Sequence, residues 1–285
     1  MTKLYTDTSA NLPLALLREY DIAVIPFSYT VNGVAEDYNE ETDFDGKAFY
    51  DAMRRGAEVK TSMVNPATAA AFFERALAQG DDVLYVGMSG GISGSYASAE
   101  VAAATLREEF PERKIRLVDT LSASLAEGLL VIKAVESRAE GLSLDETADR
   151  LLESRHRMCQ VFTVGNLKYL KRGGRISNLK AAVGTVLQIK PLLKGDPEGK
   201  IVCFGQVRGR RKSIEMIAEQ YDRYVEQAGE QTIGIAHTHQ QEVGLRGIDR
   251  EAERSLRQSL RQTGTLCQDH LHLPPHLLFA IEQLH

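Results

Sequence analysis

Three serines lie in a turn of small residues, 88–95, whose composition suits the binding of an anion. A short apolar run, residues 83–87, precedes the turn, and an Ala-rich helical pattern follows it, so the turn joins a predicted strand to a predicted helix. Glycines let the backbone approach a ligand closely, and a helix N-terminus carries a partial positive charge. Hydroxyls are supplied here by Ser89, Ser93 and Ser95. The spacing therefore predicts a pocket for a negatively charged head group.

Two other interpretations fit the same turn. Residues 87–91 match the G-x-S-x-G nucleophile elbow of serine esterases, and Ser89, Asp119 and His237 occur in the chain order of that triad. The elbow normally passes directly into a helix, whereas residues 91–94 delay the helix here. The turn also fits a tight strand–helix connection that binds nothing. The residues alone leave all three interpretations open.

The composition limits the classes of protein to consider. With 285 residues, 43% hydrophobic and 26% charged, the chain resembles an ordinary globular protein of two domains or one large domain. A net charge of −5 argues against nucleic acid as a general partner. No apolar run reaches the ~20 residues of a membrane span, and the first residues fit a strand pattern, so neither a membrane span nor a signal peptide is expected. The scattered Cys159, Cys203 and Cys267 fit a reducing compartment, so we expect a cytoplasmic protein.

Strand and helix patterns alternate over the first half of the chain. This order predicts an α/β fold whose mainly parallel sheet is covered by helices on both faces. Residues 22–31 are expected to form one strand, and residues 61–66 a polar loop. Three strands end in polar turns, at Asp7, Ser89 and Asp119. Since ligands of open α/β sheets bind at the carboxyl ends of strands, one site fed by several loops is expected there.

The second half has a different pattern. Two predicted strands, 189–194 and 200–207, are joined by the turn Gly195–Gly199, which indicates an antiparallel pair. We therefore predict an N-terminal domain over 1–160 and a C-terminal α/β domain, with a mixed or antiparallel sheet, over 161–285. Residues 249–263 carry a thin apolar stripe that is typical of a surface helix.

Two basic clusters and two histidine pairs require separate interpretations. The clusters, 168–175 and 208–212, each contain four cations and favour a partner surface slightly over a solvated face. A regulator that binds a partner through these clusters, and no lipid, is therefore a further alternative function. The pairs, at positions 237 and 239 and at positions 270 and 272, could share one face of a strand and bind a metal. No acidic residue or cysteine lies near them at the spacing typical of metal ligands. A structural role is therefore favoured for these histidines, and no metal is expected.

Six ordered motifs resemble those of the DegV family of bacterial fatty acid-binding proteins. The matching segments are Asp7–Pro13 (D-T-S-A-N-L-P), Lys60–Ser62 (K-T-S), Ser89–Tyr96 (S-G-G-I-S-G-S-Y), Val118–Gly128 (V-D-T with Ser122, Ser124 and Gly128), Leu170–Ser177 (L-K-R-G-G-R-I-S), and Ile189–Leu193 followed by Val207–Gly209. Together they cover about residues 1–215. Their fixed order makes the resemblance far more specific than any single motif.

The resemblance implies a fold of two α/β domains. It also implies a bound long-chain fatty acid, C14–C18, as the ligand, and no cofactor. It implies that the protein is not itself an enzyme. It would present the fatty acid to a separate ATP-dependent fatty acid kinase, which makes an acyl-phosphate for phospholipid synthesis. The residues that would hold the carboxylate are Thr61, Ser62, Ser93, the backbone of Gly94, and His272.

The resemblance also implies a docking surface for the kinase, formed by Lys171, Arg172 and Arg175, on a protein that we expect to be a monomer. The chain departs from the family pattern at two places. Gln and Pro after the T-S pair are replaced by Met63 and Val64. The family's H-T-G-P-G is matched by residues 272–276, H-L-P-P-H, which lack both glycines.

Overall fold

The computed structural model describes residues 1–36, 45–164, 167, 170, 173–175, 189–224, 233–236 and 278–282. The chain divides into two compact units. Met1–Phe44 and Gly56–His156 form the first, and Asp45–Arg55 and Arg157–His285 form the second. The sequence did not indicate that residues 45–55 belong with the C-terminal half.

The first unit is built on a four-stranded parallel sheet. Its strands are β1 (Thr2–Asp7), β2 (Ile22–Ile25), β6 (Asp82–Gly87) and β7 (Ile115–Asp119), in the order β2-β1-β6-β7. A smaller antiparallel sheet contains β3 (Ser28–Val31), β4 (Val34–Glu36) and β5 (Val59–Ser62), in the order β4-β3-β5. The helices are α1 (Leu14–Glu19), α3 (Pro66–Ala78), α4 (Ser95–Glu109), α5 (Leu125–Ala139) and α6 (Leu144–Ser154).

Helices cover both faces of the parallel sheet. Val83 and Tyr85 on β6 are buried in one cluster with residues of α3 and α4, including Phe73. Successive strand residues point to opposite faces. Leu84 and Val86 are also buried, on the face that packs against α5 and α6. The α/β architecture that the alternating patterns predicted is therefore confirmed.

Local capping explains where two of these helices begin. The Asn65 side chain accepts a hydrogen bond from the backbone N–H of Thr68 at 2.9 Å, and Pro66 follows at the first helical position. Ser143 and Glu146 form a reciprocal capping box at the start of α6. Both starts were predicted from the sequence, because capping depends on neighbouring residues.

The second unit contains a five-stranded antiparallel sheet. Its strands are β8 (Met158–Thr163), β9 (Ile189–Gly195), β10 (Ile201–Arg208), β11 (Ile233–Ala236) and β12 (Leu278–Glu282), in the order β10-β9-β8-β12-β11. Its helices are α2 (Gly46–Arg54) and α7 (Arg210–Tyr224). Strands β9 and β10 pair antiparallel across a turn closed by Asp196 and Lys200, as predicted.

Two expectations about strands were wrong. The single strand over 22–31 is divided at Pro26 and Phe27 into β2 and β3, which belong to different sheets. Proline lacks the N–H that a continuous ladder needs, which accounts for the break. The polar loop expected over 61–66 begins as strand β5, because Thr61 and Ser62 pair with β3.

The predicted helix over 249–263 lies outside the described residues. No helix in the described ranges is long and apolar enough to cross a lipid bilayer.

Candidate functional site

The three polar strand ends expected from the sequence lie next to one another. Strand β6 pairs with β1 on one side and with β7 on the other, all in parallel. Asp7 ends β1, Asp119 ends β7, and Ser89 follows β6 by two residues. The prediction that these turns share one edge of the sheet is therefore confirmed.

Asp7 connects the end of β1 to the end of β6. Its side chain is 1% exposed. One carboxylate oxygen accepts the backbone N–H of Ser9 at 2.9 Å, and the other accepts the Tyr85 hydroxyl at 2.9 Å and the Met88 N–H at 3.0 Å. Three hydrogen-bond donors on a buried carboxylate leave it little capacity to bind a ligand. The role of Asp7 is therefore to hold the turns after β1 and β6 in place.

Glu127 is a second buried carboxyl beside Asp7. It projects from the first turn of α5, is fully buried, and accepts hydrogen bonds from Thr6 Oγ1 at 3.2 Å and from Ser9 Oγ. Burial, and then the nearby charge of Asp7, raise its pKa well above the ordinary value of 4.5. Burial therefore favours the protonated form of Glu127, and its hydrogen bonds with Thr6 and Ser9 tie the end of β1 to α5.

Asp119 orders the turn after β6 from the other side. Its carboxylate accepts the N–H of Leu121 at 2.9 Å and that of Gly90 at 3.2 Å. The Asp119 carbonyl accepts a hydrogen bond from Arg155 Nη1 at 2.8 Å.

Burial, followed by the charges of Glu100 and Asp119, raises the pKa of Tyr96 to about 12. The phenol of Tyr96 is thus neutral at physiological pH.

The hydroxyls of Ser93 and Ser95 form a buried pair at the start of α4. Ser93 Oγ accepts the backbone N–H of Ser95 at 3.2 Å and lies 2.9 Å from Ser95 Oγ. Ser95 Oγ also accepts the N–H of Val64 at 3.1 Å. If Ser95 donates its proton to Ser93, the Ser93 hydroxyl proton can point to a ligand. The N-cap residue of α4 is Gly94, which has no side chain of its own to cap the helix, and this suits a site for an anion.

The segment 61–64 lies beside this serine pair. The hydrogen bond from Val64 to Ser95 holds the end of the segment, and the pairing of Ser62 with Ser28 holds its start. Thr61 and Ser62 are exposed. The two loops that the sequence assigned to the head-group site are therefore adjacent, although contact of Thr61, Ser62, Ser93 and Gly94 with a carboxylate stays a prediction.

Ser89 does not have the geometry of an esterase nucleophile. The elbow places its serine on a strained, exposed turn, whereas Ser89 is 0% exposed and its Oγ accepts the Gly91 N–H at 3.1 Å. Three further residues separate Gly91 from the first residue of α4. His237, the third member of that hypothetical triad, lies outside the described residues.

Several other predicted site residues also lie outside the described residues, namely His239, His270, His272, Lys171 and Arg172. Arg175 is described and is exposed in a turn, where its guanidinium donates to the Gly173 carbonyl. In the second basic cluster, Arg211 and Lys212 form ion pairs with Glu215, at 2.8 Å and 3.6 Å. The described residues contain no group of three potential metal ligands.

Sequence reasoning missed two residues that matter at this edge. Glu127 carried a signal, because an acidic residue stood inside a strongly apolar helical run, residues 125–132. Met63 was expected at the rim of the head-group site, as a departure from a motif, but its contact with Gly94 was not foreseen. An ideal Cβ placed on Gly94 would be 2.6 Å from Met63 Sδ, so the thioether lies directly against the Gly94 backbone.

The first unit is an open α/β sheet with hydroxyl-rich turns at the carboxyl ends of its strands, which is where proteins of this class bind their ligands. The family model described as "Uncharacterised protein, DegV family" matches residues 1–271. The DegV domain-containing protein CPE0026 of Clostridium perfringens is 36% identical over 235 residues, which cover 82% of this chain and 81% of that protein. This chain therefore belongs to the DegV family.

Solved structures of the family have the same fold. A fatty acid-binding DegV family protein from Thermus thermophilus matches with a TM-score of 0.79 and 30% identity, covering 99% of each chain. The fatty acid-binding DegV family protein SAG1342 from Streptococcus agalactiae matches with a TM-score of 0.78 and 27% identity, covering 100% of this chain and 99% of that one.

Proposed function

We propose that the protein binds a long-chain fatty acid and holds its carboxylate where segment 61–64 meets the turn at 93–95. The observation that carries the proposal is the contact between these loops, made by the Val64–Ser95 hydrogen bond and by Met63 against Gly94. The fatty acid-binding relatives from Thermus thermophilus and Streptococcus agalactiae support the same ligand class.

The residues assigned to the carboxylate are Thr61, Ser62, Ser93, the Gly94 backbone and His272. Neutral hydroxyls and N–H groups can hold a carboxylate without the cost of burying a full ion pair. Most of the affinity would come from the acyl chain, since a ligand of about 14 to 18 carbons gains ~0.8 kcal/mol for each methylene removed from water, before the costs of binding.

The protein performs no chemistry on the ligand in this proposal. A separate ATP-dependent kinase would phosphorylate the presented carboxylate, and the acyl-phosphate would enter phospholipid synthesis. Lys171, Arg172 and Arg175 would bind an acidic surface of that kinase. The proposal further assigns the protein to the bacterial cytoplasm, as a monomer.

Native mass spectrometry of the purified protein, followed by organic extraction, tests the ligand. We expect a stoichiometric added mass that corresponds to a long-chain fatty acid. The Ser93→Ala variant should lose most of that mass. Thr105→Val is a matched control, because the Thr105 hydroxyl is exposed in the middle of α4 and bonds the Val101 carbonyl. An apo mass that persists after addition of palmitate and oleate would contradict the proposal.

The kinase step needs its own test. Charge reversal at Arg172 and Arg175 should leave fatty acid binding intact and reduce kinase-dependent formation of acyl-phosphate. Unchanged phosphorylation would remove these residues from the docking surface without affecting the assignment of the ligand.

A further inference from the structure

Met63 is the apolar residue between the two halves of the proposed head-group site. Its backbone is held on both sides, by the pairing of Ser62 with Ser28 and by the 3.1 Å hydrogen bond from Val64 to Ser95. Because neighbouring backbone groups are fixed, movement at this position is a movement of the Met63 side chain.

The Met63 side chain lies on the Gly94 backbone and is about half exposed. Its Sδ would be 2.6 Å, and its Cε 3.7 Å, from a Cβ added to Gly94. Only the absence of a side chain at Gly94 makes this contact possible. Met63 is nevertheless 52% exposed, so its contact with the turn leaves about half of the residue open to solvent.

The chemistry of methionine decides what this contact does to a ligand. The thioether cannot donate a hydrogen bond, so it offers a carboxylate no stabilisation. It is unbranched and has three rotatable bonds, so it changes rotamer at little cost. A carboxylate that approaches the Gly94 backbone from the side where a Cβ would stand must therefore displace Met63.

We infer that Met63 is a movable apolar cover over the Gly94 end of the head-group site and that its rotation controls the exchange of the ligand. This inference rests on the proposed function, because it assigns the carboxylate to Gly94. Displacement of the thioether opens the site, and its return over the bound head group keeps water away from it. The cover acts on both association and dissociation, so its removal changes the rates more than the equilibrium.

Stopped-flow fluorescence with cis-parinaric acid tests the cover, with association measured by mixing and dissociation by a chase with oleate. Met63→Ala should accelerate both rates about fivefold, the effect of losing part of one methionine's packing, and should change Kd less than either rate. Met63→Ile, of similar volume but stiff at χ1, should slow both rates. Val101→Ala is the control, since Val101 is 57% exposed elsewhere on α4.

The possible results distinguish a failure of the Met63 cover from a failure of the proposed fatty acid binding. Wild-type rates in both Met63 variants would overturn the cover while leaving fatty acid binding in place. A wild-type protein that takes up no cis-parinaric acid would overturn the proposed function, and the cover with it. A ligand-free NMR measurement tests the contact alone: a nuclear Overhauser effect between the Met63 ε-methyl and the Gly94 Hα supports the cover, and its absence overturns it.

Discussion

Replacing the buried Glu127 with glutamine should change how the stability of the protein depends on pH. The Glu127 pKa is raised in the fold, chiefly by burial and then by the charge of Asp7. The folded state therefore keeps a proton that the unfolded chain releases above about pH 4.5. The stabilising contribution is complete below that value and is lost as the pH rises toward the folded pKa. Glu127→Gln keeps a neutral side chain of the same shape and removes this dependence.

The free energy of unfolding can change with pH only up to a maximum slope, because Glu127 releases a single proton. Between the unfolded and folded pKa values, the free energy of unfolding of the wild type should fall by up to about 1.4 kcal/mol per pH unit relative to Glu127→Gln. Urea unfolding, followed by circular dichroism at several values from about pH 5 to pH 8, measures this difference. Because burial is the main cause of the raised pKa, the two curves should begin to diverge above about pH 4.5 and should continue to diverge up to the folded pKa.

Two further variants make the experiment decisive. Glu127→Ala should destabilise the protein at every pH by about 2–5 kcal/mol, since it leaves a cavity and removes the acceptor for Thr6 and Ser9. Glu100→Gln, at an exposed position on α4, should follow the wild-type curve. Parallel curves for wild type and Glu127→Gln would refute the raised pKa of Glu127.

Three other substitutions test the local structure of the first unit. Ser95→Ala removes the acceptor for the Val64 N–H, so we expect about 1 kcal/mol of lost stability and about tenfold weaker palmitate binding by titration calorimetry. Gly128→Ala would place a Cβ 2.7 Å from the Ala10 carbonyl oxygen, so it should cost about 1–3 kcal/mol in urea unfolding. Ser143→Ala removes the N-cap of α6 and should cost about 1 kcal/mol in the same assay.

Conservative variants identify the cause of each effect. Ser95→Thr should retain palmitate binding, and Ser143→Thr should retain most of the stability, because both keep the hydroxyl acceptor. A Gly128→Ala protein as stable as the wild type would show that the turn at Ala10 moves away at no cost. Loss of binding in Ser95→Thr equal to that in Ser95→Ala would contradict the hydrogen-bonding explanation.

The local signals in the sequence predicted most of the elements correctly. Asn65 and Ser143 marked helix starts, and Gly195–Gly199 marked an antiparallel turn, because each depends on residues within a few positions. The division of residues 22–31 between two sheets was missed, although Pro26 stood in the middle of the run. The inclusion of residues 45–55 in the second unit was also missed, since contacts with distant residues decide it.

At the site, the sequence predicted the loops but not their contacts. Polar turns after parallel strands must lie at one edge, which is why Asp7, Ser89 and Asp119 were grouped correctly. The sequence could not indicate that the hydroxyl of Ser95 binds the Val64 N–H, because the two residues are 31 positions apart.

The sequence by itself determined the period of the apolar residues, the caps and turns, and six ordered motifs, and from these it determined the fold class and the family. Only the tertiary structure decided that Glu127 is buried against Asp7 and that Met63 lies on Gly94. The physical reason is that patterns and caps act over a few residues, whereas burial and side-chain contact depend on which distant segments the fold brings within a few ångströms.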